Sequence, residues 1–187
     1  MVFLLHRAQP HTNANTVLRA SDDDAIDASA TYLLQCTQIS DVNRVLFVDQ
    51  QHSDAVDYLS TLTFIGLKEH FGQQCCPLFP APWIYRDYDG DVSHLYGRGF
   101  GTTRLLDPDL RADNELSGAT AELRYQDFDT LVIGSISRNI ELARELARYF
   151  APDRTIWIHG EDAPPLASQV RSYRTFGTHL FVRGIDV

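Results

Sequence analysis

The chain has 187 residues, of which 44% are hydrophobic and 22% charged, and its formal net charge at pH 7 is -9. This length suffices for one full hydrophobic core but is short for two, and the negative charge argues against nucleic-acid or anionic-membrane partners. No stretch approaches the roughly 20 apolar residues that a membrane-spanning helix needs. The three cysteines, an odd number, and the lack of a signal-peptide pattern predict a reducing, cytoplasmic location.

Residues 1–43 are predicted to form an N-terminal extension with a short strand and a helix. The strand is predicted around the apolar run from Val2 to Leu5, and the helix from about Asp24 to Gln38. The stretch "SDDD" precedes that helix, and a serine cap with early carboxylates answers the exposed amides of a first helical turn. Two interpretations of the extension stay open, namely an added strand and helix, and an arm that contacts a neighbouring molecule.

From residue 44 onward, strand and helix patterns alternate. Continuous apolar runs of strand type are "RVLFVD", "CCPLFP", "DTLVIGS", "RTIWIHG" and "HLFVRG". Helical patterns fall between them, in "SDAVDYLSTLTFIGLKEHFG", "RNIELARELARYF" and "PPLASQVRSYRTFG". Such alternation implies right-handed crossovers and a parallel sheet covered on both faces. Residues 44–187 are therefore predicted to form a three-layer α/β sandwich with a mainly parallel sheet, of the Rossmann or flavodoxin kind.

The segment 77–128 departs from this alternation and is rich in Pro, Gly, Asp and Tyr. A connection of this length inside one domain usually carries a function or an inserted element. Its stretch "LYGRGFGTTR" has neither the glycine spacing of a dinucleotide fingerprint nor the Gly-Lys-Ser/Thr end of a P-loop. Two interpretations stay open. One is an anion contact through backbone amides, Arg98 and Arg104, and the other is a glycine-rich turn anchored by an aromatic residue.

Polar side chains follow the predicted strands, and ligands of open parallel sheets bind at the carboxyl ends of the strands. Helix capping is the alternative explanation for several of these residues, Ser137 among them. The catalytic candidates at this edge are His52 and Asp49. The ligand-binding candidates are Arg98, Ser135, Ser137, Arg138, His159, Glu161 and Arg183.

Several kinds of chemistry are disfavoured by the same residues. His52, His159 and Asp162 lack the spacing of metal ligands, so no metal and no cofactor is predicted. The stretch "GSIS" lacks the G-x-S-x-G pattern of a nucleophile elbow. A phosphorylatable receiver domain is excluded, because Gly134 and Ser135 stand where its acceptor aspartate would be.

Three stretches together, "VLFVDQQHSDAVDYLSTLTFIGLKEHFG", "LYGRGFGTTRLLD" and "FDTLVIGSISRN", resemble the N-terminal half of bacterial glycosyltransferase-like proteins of the GT-B kind. Enzymes of that kind have two Rossmann-like halves, and the C-terminal half makes most contacts to the nucleotide-sugar donor. The resemblance implies a module that binds a sugar or nucleotide-type ligand and needs a partner or a second subunit for catalysis. In it, His52 or a nearby carboxylate would deprotonate an acceptor hydroxyl, and Arg98, Arg138 or Arg183 would balance phosphate charge.

The alternative is a non-catalytic protein-binding or assembly module on the same scaffold. Aromatic residues with arginine are enriched at the cores of protein interfaces, and the stretch "PAPWIYRDY" has that character. The same residues would equally serve to cover the domain's own core. The aromatic residues in question are Trp83, Tyr85, Tyr88, Tyr96 and Phe100.

Overall fold

The computed structural model describes residues 4–7, 25–39, 41–49, 57–95, 101–117, 123–161 and 163–184. The strands are β1 (Leu4–Arg7), β2 (Val45–Val48), β3 (Cys75–Pro77), β4 (Thr130–Ile133), β5 (Thr155–His159) and β6 (His179–Gly184). The α-helices are α1 (Ala25–Thr37), α2 (Tyr58–Phe71), α3 (Asp113–Ser117), α4 (Ile140–Leu146) and α5 (Ala167–Arg174). None of these helices combines the length and the apolar character needed to cross a bilayer.

The strands form one sheet in the order β1-β6-β5-β4-β2-β3. β2 to β6 are all parallel, whereas β1 pairs antiparallel with β6 at one edge. Numbered along the chain, the five parallel strands lie in the order 2-1-3-4-5, which is the flavodoxin-like arrangement. The predicted α/β fold class is therefore confirmed, and the chain before residue 44 contributes an edge strand to the same sheet.

Helices cover both faces of the sheet, because side chains along a strand point alternately to its two sides. Val45 and Phe47 of β2 face the core that α1 and α2 complete. Leu46 and Val48 face the opposite core, which contains residues of α4 and α5. A strand buried on both sides has to be apolar at every position, and this explains the continuous apolar runs in the sequence.

Helix α2 has clear signals at both ends. The Asp57 carboxylate accepts hydrogen bonds from the backbone N–H groups of Leu59 and Ser60, at 3.0 and 3.1 Å, and so caps the helix. The helix ends at Gly72, whose φ of +56° favours a residue without a side chain. The predicted stop at Gly72 is confirmed, whereas residues 50–56, where the sequence predicts the helix start, lie outside the described residues.

The segment between β3 and β4 is attached to α2 by a buried ion pair. Lys68 of α2, the only lysine of the chain, pairs with the Glu115 carboxylate and donates a 2.9 Å hydrogen bond to the Leu110 carbonyl. The Lys68 and Glu115 side chains are 0% and 2% exposed. Glu115 also accepts a 2.7 Å hydrogen bond from the Tyr85 hydroxyl. Burial, followed by the charge of Glu115, raises the pKa of Tyr85, so the hydroxyl stays a donor.

A second layer of contacts covers this ion pair. The Arg111 guanidinium lies 4.2 Å from the centre of the Tyr85 ring and makes two hydrogen bonds to Asp87, of 2.9 and 2.5 Å. Tyr85 itself is 0% exposed, so it belongs to the domain's own core and not to a partner surface. Trp83 also packs against that core, while Tyr96 and Phe100 lie outside the described residues.

We expect Lys68→Met to reduce the free energy of unfolding by about 3–5 kcal/mol, because it leaves the Glu115 charge buried without its partner. Adding Glu115→Gln should restore much of this loss, since it removes the buried charge and its one amide oxygen can keep one of the two hydrogen bonds that Glu115 accepts. The matched control is Arg144→Met, whose exposed pair with Glu141 should contribute less than about 1 kcal/mol. Urea unfolding measures all three, and equal stability of Lys68→Met and the wild type would contradict the expectation.

Candidate functional site

The order of the strands reverses between β2 and β4. From β2 the chain crosses to β3 on one side, and from β4 it crosses to β5 on the other side. The loop after β2 and the loop after β4 therefore diverge at the carboxyl edge of the sheet. Open α/β sheets bind their ligands at such a place. The polar residues gathered at this place, here called the switch-point cluster, are Asp49, Asp57, Ser60, Ser135, Arg138 and Asn139.

Asn139 ties the loop after β4 to the carboxylate after β2. Its side-chain amide donates to Asp49 Oδ1 at 3.1 Å and to the Ser135 carbonyl at 2.7 Å. Asp49 and Asn139 are 2% and 1% exposed. The catalytic candidate Asp49 thus lies beside the ligand-binding candidate Ser135, as the strand-end rule predicts. Asn139 was not among the sequence-based candidates, although an asparagine soon after a buried strand was a signal for it.

Buried polar atoms concentrate in the switch-point cluster. Asp49 Oδ2, Ser60 Oγ and Ser135 Oγ are inaccessible to solvent and have no hydrogen-bond partner among the described residues. The Ser60 hydroxyl lies near enough to lower the pKa of Asp49, but the geometry between them is not that of a hydrogen bond. Buried polar atoms of folded proteins are normally hydrogen-bonded. The cluster therefore has hydrogen-bonding capacity that its own described residues do not use.

Two glycines allow the close packing around this cluster. A Cβ atom on Gly134, which follows β4, would lie 2.1 Å from Ser60 Oγ. A Cβ atom on Gly160, which follows β5, would lie 2.7 Å from Asp57 Oδ2. A larger residue at either position would require the side chains of Ser60 and Phe47, or that of Asp57, to move. The sequence did not identify Asp57 as a site residue, and its signal, an aspartate directly before an apolar helix, indicated only a cap.

The two carboxyl groups of the cluster both have raised pKa values. Burial raises the pKa of Asp49, and the neighbouring charge of Asp57 adds to this effect. Burial likewise raises the pKa of Asp57, to which the charge of Glu161 also contributes. The positive charge of Arg138 acts in the opposite direction, so both pKa values are raised less than burial alone would raise them. A buried carboxyl with a raised pKa is a stronger base than an exposed one, and such groups are characteristic of functional sites.

His159 is the last residue of β5 and is 3% exposed. Its Nε2 lies 3.0 Å from the Ala163 carbonyl, which only accepts, so Nε2 carries the proton. In the neutral ring Nδ1 is then an acceptor, and it is buried with no partner in the part of the chain that the structure describes. The loop after β4 is linked to this strand end, because the Ser137 hydroxyl donates a 2.5 Å hydrogen bond to the Glu161 carboxylate.

The described part of the structure does not bring the remaining sequence-based candidates to the switch-point cluster. Arg183 lies within β6 opposite Leu5 of β1, and its side chain is outside the described part of the structure. His52 and Arg98 also lie outside the described residues. Among the side chains that are described, no group of three or more His, Cys, Asp and Glu residues is placed to hold a metal ion.

Comparisons of the chain with protein-family models, with curated proteins and with solved structures found no match. The resemblance to glycosyltransferase-like proteins therefore stays a prediction from the sequence. Roles for individual residues have to come from the geometry and chemistry of the switch-point cluster, because the fold by itself does not determine an activity.

We expect Asp49→Asn to raise the free energy of unfolding at pH 7, by about 1 kcal/mol per unit of pKa elevation that it removes. A raised pKa means that the folded state holds the Asp49 proton more tightly than the unfolded chain does. Stability is therefore full below the unfolded pKa and is lost as the pH rises through the folded pKa. Asparagine keeps the Oδ1 acceptor for Asn139 and removes the buried charge.

The advantage of Asp49→Asn should shrink as the pH is lowered toward 4, and urea unfolding across this range measures it. The matched control is Asp91→Asn, because the hydrogen bond from the Ser93 backbone lowers the pKa of that exposed carboxyl. Asp91→Asn should not stabilise the protein at pH 7. Equal destabilisation by Asp49→Asn at pH 7 and at pH 4 would show that burial does not dominate the pKa of Asp49.

Proposed function

We propose that this domain is a glycosyltransferase-like module that binds a sugar or nucleotide-type ligand at the switch-point cluster. Any transfer reaction would need a partner or a second subunit, as the sequence resemblance implies. The observation that carries the proposal is the buried set of unpartnered polar atoms, Asp49 Oδ2 and Ser135 Oγ, where the strand order reverses. Ligand sites typically combine a few such placed polar groups with a rigid scaffold.

Hydroxyl-rich ligands match the hydrogen-bonding character of these atoms. A carboxylate only accepts hydrogen bonds, so Asp49 Oδ2 would take one from a sugar or ribose hydroxyl. The Ser60 and Ser135 hydroxyls can donate or accept, so they would complete the contacts to neighbouring ligand oxygens. Both serines are 0% exposed, so a ligand would reach their hydroxyls only if the surrounding side chains move apart. Hydrogen bonds made there would then be protected from competition with water.

Arg138 would account for the nucleotide-type part of the ligand. It is exposed at the rim, yet its charge acts on both Asp49 and Asp57. A guanidinium at the rim of a hydroxyl-binding crevice is suited to a phosphate group, which it contacts with two parallel hydrogen bonds. The raised pKa of Asp49 makes this carboxylate the described residue best suited to deprotonate an acceptor hydroxyl.

Uridine and guanosine diphosphate sugars should raise the melting temperature of the protein. A ligand that binds only the folded state at 100 times its Kd contributes about 2.7 kcal/mol. For a chain of this size that corresponds to a shift of about 5–10 °C. Differential scanning fluorimetry with each nucleotide sugar, the free nucleotide and the free sugar would show which part of the ligand is recognised.

Variants test whether the rise in melting temperature comes from binding at the switch-point cluster. Ser135→Ala should reduce the shift for sugars and nucleotide sugars alike, and Arg138→Ala should reduce it only for the phosphate-bearing ligands. Arg171→Ala, on the exposed surface of α5, is the control for loss of one arginine charge. A protein that shows no shift with any of these ligands would contradict the proposal and favour the non-catalytic assembly module, for which light scattering would report the oligomeric state.

A further inference from the structure

A cavity of about 600 Å³ lies at the amino edge of the sheet, at the opposite end of the strands from the switch-point cluster. Its walls come from the residues that precede β2, β3 and β4 and from the start of α3. This volume is within the range of small-molecule sites. The lining residues that matter for recognition are Arg44, Cys76, Asp113, Leu123, Asp127 and Phe128.

Arg44 is a half-buried cation whose side chain forms no ion pair with a carboxylate among the described residues. Its guanidinium lies 4.8 Å from the centre of the Phe128 ring, and Nη2 lies 4.0 Å from Cys76 Sγ. The neighbouring carboxylate of Asp129 is already engaged. It accepts from the backbone N–H groups of Asn43 and Arg44, at 2.9 and 3.1 Å, and from the Thr130 hydroxyl at 2.8 Å.

The rest of the lining selects among anions. Phe128 and Leu123 provide apolar surface beside the Arg44 guanidinium. Asp113 and Asp127 bring negative charge into the same wall. Arg124, a second lining cation that is exposed to solvent, lies 3.6 Å from Asp127. One guanidinium can hold one carboxylate through two parallel hydrogen bonds, whereas the two aspartates would repel a doubly charged ligand.

We propose that this cavity is a binding site for a small organic monocarboxylate, with the carboxylate on Arg44 and the carbon chain against Phe128 and Leu123. The site is separate from the switch-point cluster and does not depend on the function proposed there. Its location at the amino ends of the strands, away from the usual ligand edge of the fold, means that the fold itself does not suggest it. Arg44, without a carboxylate partner in the described structure, is the residue that carries the inference.

Cys76 lines this cavity, so its thiol can serve as a chemical probe of the site. Cys76 is 3% exposed, its Sγ lies 4.0 Å from Arg44 Nη2, and it faces the opposite core from Cys75. Burial raises the pKa of both thiols, and Arg44 opposes that effect at Cys76. Cys36, half-buried on α1, provides an internal reference for reagent chemistry away from the cavity.

The test compares the alkylation of the folded protein by iodoacetate and by iodoacetamide, with each cysteine quantified by peptide mass spectrometry. In both reactions the thiolate attacks the CH₂ carbon, an S–C bond forms as the C–I bond breaks, iodide leaves and the thiol proton goes to solvent. The two reagents differ mainly in the carboxylate. We expect the ratio of the iodoacetate rate to the iodoacetamide rate to be at least about threefold higher at Cys76 than at Cys36, through electrostatic guidance.

Variants and competing anions test whether Arg44 causes the higher iodoacetate-to-iodoacetamide ratio at Cys76. Arg44→Gln should bring the Cys76 ratio down to that of Cys36, whereas Arg44→Lys, which keeps the charge, should retain most of the preference. Arg171→Gln, an equal loss of charge on α5, should leave the ratio unchanged. Sodium acetate should slow the labelling of Cys76 by iodoacetate more than sodium chloride or sodium phosphate does at the same ionic strength.

Several results would overturn the proposal. They are equal ratios at Cys76 and Cys36 in the wild type, an unchanged ratio in a folded Arg44→Gln variant, and equal protection by phosphate and acetate. Failure of both reagents to label Cys76 in the folded protein would overturn it too, because a cavity closed to these reagents is closed to ligands of that size. If Arg44→Gln does not fold by circular dichroism, the acetate competition and the Arg44→Lys ratio decide alone.

Discussion

Burial of the sheet on both faces is the constraint on which the rest of this structure depends. It favours apolar side chains in the interior of β2, β4 and β5, and the buried polar residues of these strands, Thr130, Thr155 and His159, stand at strand ends. The reversal of strand order between β2 and β4 then separates two loops and leaves room between them. Asp49 and Ser135 lie at that place because they are the first polar residues beyond their strands, and Asn139 holds the two loops together.

The buried carboxyl groups of the switch-point cluster are expected to reduce the stability of the fold. Two carboxyl groups are buried near each other and near one arginine, and burial raises the pKa of both. Nothing in the folding of the sheet requires Asp49 to be ionisable, since an amide would fill the same space and keep the bond from Asn139. Proteins tend to retain such unfavourable groups where function needs them. The carboxylate of Asp57 differs, because it also caps α2 and so has a structural role.

The buried charges of Lys68 and Glu115 neutralise each other, unlike the two carboxyl groups of the switch-point cluster. Their ion pair lies at 0% and 2% exposure, and Glu115 also accepts hydrogen bonds from Tyr85 and from the Ala112 backbone. This pairing attaches the irregular segment between β3 and β4 to α2 and places α3 in the wall of the amino-edge cavity. Arg44 is half-buried and contacts Phe128 and Cys76, but it has no carboxylate partner among the described residues. The ligand-binding role proposed for Arg44 rests on this difference from Lys68.

The sequence by itself determined the elements of the sheet, since a strand buried on both faces must be apolar throughout and an amphipathic helix must repeat near every 3.6 residues. It also indicated Asp49, Ser135 and Arg138, because residues that follow parallel strands meet at one edge. Only the tertiary structure decided which strands are neighbours, and with that the position of the reversal, because periodicity carries no information on pairing. Asp57 and Ser60 joined the cluster, and Arg44 and Cys76 the cavity, through contacts between residues far apart in the chain. Such contacts depend on packing distances of a few ångströms, which no local pattern of residues encodes.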